Sequence, residues 1–191
     1  MNKVERAEIL PIAEYELIRP HFRARVIAEK QSRRIVLSDH MSLLFENHDS
    51  VLLQVQEMLR TERITAEAAI QHEIDTYNDL IAPADGLSFT MFIEISDRDR
   101  REQRLVELAG LETAVYLEVD GVRLPATQRL PEAYMPTRTT AVHYFKVALS
   151  DHATRVRARQ AHVAVGIDHP HCQLRVPLSG ATLAALAADL Q

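Results

Sequence analysis

The sequence predicts an α+β fold: N-terminal helices and short strands packed with a mostly antiparallel sheet built from two strand–helix–strand–strand units. Three observations predict it. Residues 66–81 carry a clean 3.6-residue apolar period. Residues 40–46 alternate, with Met41, Leu43 and Phe45 on one face and His40, Ser42, Leu44 and Glu46 on the other. Beyond residue 86 the pattern strand–helix–hairpin is stated twice. A chain of 191 residues fits one domain over 1–191, divisible into a mainly helical lobe, 1–84, and a duplicated lobe, 85–191.

Pro11 and Pro20 each stand where helices begin, which predicts one helix over 11–18 and a second over 20–31. Tyr15 and Ile18 face inward in the first; Phe22, Val26 and Ile27 do so in the second. Residues 34–38 read as a short strand and 40–46 as another. Asn47 and Asp49 are cap candidates for a helix over 50–63. Its apolar arc is Val51, Val55, Met58 and Leu59, with Glu62 an oddity inside it. Thr65 is expected to cap the next helix, 66–81, whose stripe is Ala66, Ile70, Ile74, Tyr77 and Ile81. Turn residues over 82–86 set the internal boundary. The first unit is a strand over 87–96, a helix over 97–108 and a hairpin, 114–119 with 122–125, around Asp120 and Gly121. The second is a strand over 141–149, a helix over 151–160 and a hairpin, 162–167 with 173–176, around residues 168–171. Both helices open on a Ser-Asp pair, Ser96-Asp97 and Ser150-Asp151, which is a helix-start signal. Residues 127–139 read as an exposed loop, and 179–190 as a closing helix capped by Ser179.

Composition excludes several classes. The five glycines stand far apart, so neither a dinucleotide turn nor a phosphate loop can form from clustered glycines. One cysteine excludes intramolecular disulfides, cysteine-based zinc sites and a self-contained iron–sulfur cluster. A bound nucleotide or cluster is therefore not expected. Twenty-two basic against 27 acidic residues give a net charge of −5, the wrong sign for a general nucleic-acid binder. The charge is uneven. Six basic residues over 19–34 face Glu29 alone, whereas nine acidic residues over 39–79 face only Arg60 and Arg63. Such blocks read as solvated faces that attract one another or as a contact between copies of the chain; a polyanion site on the basic stretch is the alternative. The N-terminal residues mix charges and lead into no apolar run, and no stretch approaches 18 consecutive apolar residues. No signal peptide and no membrane span are expected. A cytoplasmic protein is, and a lone reduced thiol fits that compartment.

Three constellations are candidates for chemistry. Asp168, His169, His171 and Cys172 form the densest ligand cluster, though Pro170 favours a polar turn. Cys172 beside His171 points away from it in a strand, which weakens any nucleophile role. On the 66–81 helix, His72 and Asp75 at i, i+3 lie opposite the apolar stripe, with Glu73 at its edge. They share one metal or one proton relay only if another part of the protein covers that face. Finally, His40, Ser42 and Glu46 on a strand face are expected to meet Gln54, Glu57, Arg60 and Thr61 on the adjoining helix, supplying an acid, a base and an anion clamp. The candidate catalytic residues are therefore Glu57, Arg60, His72 and Glu73. The candidate metal ligands are His72, Asp75, His169 and His171, for iron, zinc or manganese. No Gly-x-Ser-x-Gly elbow is present, and no pair of Glu-x-x-His motifs for a di-iron bundle.

Several stretches carry a resemblance. They are residues 9–20 (Ile-Leu-Pro-Ile-Ala-Glu-Tyr-Glu-Leu-Ile-Arg-Pro), 40–47 (His-Met-Ser-Leu-Leu-Phe-Glu-Asn), 54–63 (Gln-Val-Gln-Glu-Met-Leu-Arg-Thr-Glu-Arg), 69–78 (Ala-Ile-Gln-His-Glu-Ile-Asp-Thr-Tyr-Asn) and 166–170 (Gly-Ile-Asp-His-Pro). Together they resemble the bacterial family called Domain of Unknown Function 3501, over essentially the whole chain and most specifically over the first 81 residues. The resemblance implies no established activity and no catalytic residues. It implies company, because such proteins are typically encoded near rubrerythrin-like and iron–sulfur oxidoreductase proteins. The expectation is an accessory protein working with a redox partner in oxidative-stress or metal homeostasis. A metal-binding protein or metal-dependent enzyme with a site over 40–79 is the alternative.

Overall fold

The structure, a computed structural model, describes residues 2–129 and 135–190. A single long helix, α1 (Ile12–Arg33), replaces the two helices expected on either side of Pro20. Pro20 forfeits one hydrogen bond, to the Glu16 carbonyl, and both residues lie on the exposed side where water serves that oxygen. Continuity also fixes the helical phase. Tyr15 and Val26 are buried with Arg33, and Phe22 is half-buried between them, while Ile18 and Ile27 turn outward at 45% and 43% exposure. The inward positions expected for those two isoleucines are thus corrected: Ile18 and Ile27 fall on opposite flanks of the stripe that Tyr15, Phe22, Val26 and Arg33 form along the helix.

Strands β1 (Arg34–Ser38) and β2 (Met41–Phe45) form an antiparallel hairpin. Helix α2 (His48–Glu62) starts at Asn47, whose side chain accepts from the Ser50 amide while the Asn47 amide donates to Ser50 Oγ. Helix α3 (Glu67–Asn78) starts at Ala66 without a side-chain cap, so the expected Thr65 cap does not form. Ile70 and Ile74 of α3, with Ile81, pack on Val51, Val55 and Leu59 of α2. Asn78 closes this cluster by holding both the amide and the carbonyl of Val4.

The duplicated half follows as β3 (Gly86–Ile93), α4 (Arg98–Glu107), β4 (Val115–Val119) and β5 (Val122–Pro125), then β6 (Val142–Ala148), α5 (Ala153–Arg157), β7 (Val163–His169) and β8 (Cys172–Pro177). A last helix, α6 (Gly180–Asp189), is capped by Ser179. Asp97 caps α4 as expected. Ser150-Asp151 does not cap α5. Ser150 has φ 47° and opens a one-turn 3-10 helix, and α5 is only five residues long.

The strands divide between two four-stranded antiparallel sheets, ordered β1-β2-β3-β6 and β5-β4-β7-β8, where one sheet was expected. Each unit sends its first strand to one sheet and its hairpin to the other. The like parts then pair, β3 with β6 and β4 with β7. The inner faces share one apolar core, including Phe45, Phe89, Phe145, Leu117 and Val165. Beyond the end of β5, Thr127 bridges to Lys146 of β6 through two backbone hydrogen bonds of 2.8 Å, joining one edge of each sheet. The β2–β3 pairing runs from Met41–Ile93 to Phe45–Phe89, so the first sheet crosses the boundary expected at 82–86.

Gly166 of β7 stands opposite Tyr116 of β4. A Cβ there would lie 2.1 Å from Tyr116 Cζ, so the glycine makes room for that ring. The Arg123 guanidinium covers the same ring at 4.4 Å from its centroid. Of the loop expected over 127–139, residues 130–134 lie outside the described residues, and Thr139 is buried rather than exposed. No helix among the described residues is long and apolar enough to cross a membrane.

Candidate functional site

The sheet face under α1–α3 is where the polar residues of 40–46 lead. On β2 the inward Met41, Leu43 and Phe45 enter the core, as the alternation predicts. Ser42, Leu44 and Glu46 on the other side are buried too. Their expected meeting with Gln54, Glu57, Arg60 and Thr61 does not occur; the groups fall into separate networks. Glu46 accepts from Ser50 Oγ and Thr90 Oγ1, both at 2.5 Å. Ser42 donates to Glu94, which also pairs with Arg34. Ser42, then Arg34, holds the Glu94 carboxyl below its usual range.

Glu57 and Arg60 belong to the seam between α1 and α2. Arg19 of α1 grips both oxygens of Glu57 at 2.7 and 2.9 Å, and the Tyr15 hydroxyl donates to Oε1 at 2.7 Å. Arg19 first, and Tyr15 after it, pull the Glu57 pKa down to about 2. Burial and the Glu57 hydrogen bond push the Tyr15 phenol above its ordinary value. Arg60 binds Glu16 at 2.6 Å. At neutral pH Glu57 is an ionised clamp between helices, saturated with donors.

His72 and Asp75 lie on the exposed side of α3, and Glu73 is half-buried. No element roofs that face among the described residues. The β7–β8 turn has Pro170 and His171 as its two loop residues, with His169 just before it, because His169 pairs with Cys172. Asp168 therefore sits in the strand, and Pro170 takes the place that Asp120 holds in the first hairpin. His169 Nε2 lies 2.9 Å from the Ala109 carbonyl oxygen, and Nδ1 accepts from the His171 amide at 3.2 Å. Both ring nitrogens are thus engaged within the fold. Among the described residues, no three His, Cys, Asp or Glu side chains gather as metal ligands. Cys172 lies against Met41, with its thiol 3.9 Å from the thioether, and burial raises its pKa.

A concave site on the helix-covered side of the first sheet lies between α3 and β6. This cleft has a cavity volume of about 600 Å³. Tyr77 and Leu80 line it from the helical side, and Tyr144 and Lys146 from β6. Thr127, Gln128 and Arg129 line it beside the strap that follows β5. Ser88 and Thr90 of β3 stand directly opposite Lys146 and Tyr144 in the strand register, so they project from the same sheet face. Burial, with Glu73 and Tyr144 nearby, keeps the Tyr77 phenol protonated above its usual pKa.

Behind the cleft is a buried polar chain. The Gln128 amide meets His143 Nδ1 at 3.2 Å, and His143 Nε2 meets the Thr140 carbonyl and Thr139 Oγ1. Thr139 donates to Glu112. Burial lowers the His143 pKa. His143 and Lys146 lie outside the candidates that spacing and composition mark. The signal was there for His143, since strand alternation puts it in phase with Phe145 and Val147 toward the core.

Comparison with known proteins gives the same whole-chain extent. The family described as Protein of unknown function (DUF3501) matches residues 3–190. The chain belongs to that family. A crystal structure of a novel protein of unknown function from Burkholderia pseudomallei is similar throughout, with 31% identity, a TM-score of 0.90 and full coverage of both chains. Among curated proteins nothing matches.

Proposed function

We propose that this protein is an accessory component that docks a redox partner of the rubrerythrin-like or iron–sulfur oxidoreductase kind. The observation that supports it is the outward face of α1. Leu17 is 80% exposed there, and Ile27 is close to half exposed. Pro20, Ala24 and Ile27 line a shallow groove of about 600 Å³ with Arg23 beside them. Contiguous exposed apolar surface rimmed by charge marks a protein contact more often than a solvated face. A basic rim on a chain of net charge −5 suits a partner that presents apolar residues among acidic ones. With a single cysteine, a cysteine-ligated cluster belongs to the partner. A role in oxidative-stress or metal homeostasis follows from the kind of partner.

The test is association of the purified chain with the rubrerythrin-like and iron–sulfur oxidoreductase proteins of the same organism, at micromolar concentration and in both redox states. Binding that Leu17→Glu and Ile27→Glu each weaken supports the proposal. No association in either state, or association indifferent to both substitutions, overturns it. Self-association of the chain alone that both substitutions abolish also overturns it, because the face would then serve a second copy.

A further inference from the structure

We propose that the cleft between α3 and β6 binds a small monoanionic carboxylate carried on a flat apolar body. Its volume of about 600 Å³ falls in the range of small-molecule sites. The cationic head group pocket is made by Lys146 and Arg129, which line the same cavity and form no ion pair with a carboxylate among the described residues. Arg19, Arg25 and Arg60 on α1 and α2, by contrast, each pair with a carboxylate. A carboxylate placed between an ammonium and a guanidinium gains charge-assisted hydrogen bonds from both. The apolar body is taken up by Tyr77, Leu80 and Tyr144, whose rings offer flat faces.

The floor is rigid, because Thr127 and Lys146 exchange two backbone hydrogen bonds. Gln128 is likewise anchored, through His143.

Charge count sets the class of ligand. Asp79 lines the cavity beside the two cations. One negative charge is well matched there, and a second meets Asp79, so a carboxylate is favoured over a phosphate dianion. The cleft and the α1 face share no residue, so this proposal and the docking proposal fail or survive separately.

The experiment is titration of the full, isotopically labelled chain, followed by amide NMR, with sodium benzoate, phenyl phosphate and benzylamine as probes. The expected result is saturable shifts for benzoate at Tyr77, Leu80, Tyr144 and Lys146. Phenyl phosphate is expected to bind more weakly and benzylamine not at all. Lys146→Met is expected to weaken benzoate about tenfold or more, with the rest of the amide spectrum unchanged. No saturable shift for benzoate at millimolar concentration overturns the proposal, as does benzylamine binding equally well or a Lys146→Met variant of unchanged affinity. Phenyl phosphate binding more tightly than benzoate overturns the monoanion assignment.

Discussion

Along the α1–α2 seam Arg19 meets Glu57, Arg60 meets Glu16 and Arg25 meets Asp49; in the α3–β6 cleft Lys146 and Arg129 meet no carboxylate among the described residues. Both regions are charged, and both lie on the side of the first sheet that the helices cover. The seam uses charge to hold two helices in register, each of these arginines paired with a carboxylate. The cleft leaves two cations without a carboxylate partner among the described residues. Charged residues close in sequence to a site are therefore a poor guide to chemistry, and unmatched ones are a better guide.

The largest expected effect breaks the matched side. Arg33 at the end of α1 and Asp189 at the end of α6 form a two-pronged pair, with side chains 8% and 9% exposed. Asp189→Ala leaves Arg33 buried without its counter-charge and is expected to cost about 3–5 kcal/mol, read from denaturant unfolding. Arg33→Met combined with Asp189→Leu is expected to recover most of that loss, since it removes both buried charges. A double variant no better than the single one contradicts the account.

Next in size is the seam itself. Glu57→Ala removes the acceptor of Tyr15 and Arg19 and is expected to cost about 1–2 kcal/mol. The same pair has a pH signature. The folded pKa of Glu57, about 2, lies below its value of 4.5 in an unstructured chain, so its contribution is fully present above pH 4.5 and fades as the pH falls toward 2. Glu57→Gln should therefore flatten the acid limb of stability over that window and leave the slope above it unchanged. An acid limb that keeps its full slope in Glu57→Gln denies the clamp its role.

The smallest expected effect on stability belongs to the cleft. Lys146→Met should change the unfolding free energy by no more than about 0.5 kcal/mol while it weakens benzoate binding about tenfold or more. A loss of several kcal/mol in this variant makes Lys146 a structural residue and erases the contrast between the two regions.

Local features of the chain were legible from sequence because they depend on neighbours within a turn or two. The Asn47 and Asp97 caps, the Ile70 and Ile74 stripe and the Asp120-Gly121 hairpin all formed where spacing put them. The Pro20 boundary and the Ser150-Asp151 cap failed, because one long exposed helix tolerates a proline and α5 is a single short turn after a left-handed Ser150. Glu57 and Arg60 were correctly grouped as charged neighbours on one helix, but which charges faced them was set by α1, which the sequence does not align to α2. His72 and Asp75 share a face by helical spacing alone, and only the packing left that face open.

The sequence by itself determined the α+β class, the repeated strand–helix–hairpin unit, and most helix and strand positions, since periodicity and capping are local. Tertiary structure decided the rest. Whether two units build one sheet or two depends on which edges find each other, and the β3–β6 and β4–β7 pairings join residues dozens of positions apart. The small size of Gly166 acquires its meaning only opposite Tyr116. The cleft, too, exists only because α3 and β6 meet, bringing Tyr77 and Lys146 from opposite ends of the chain's organisation into one cavity.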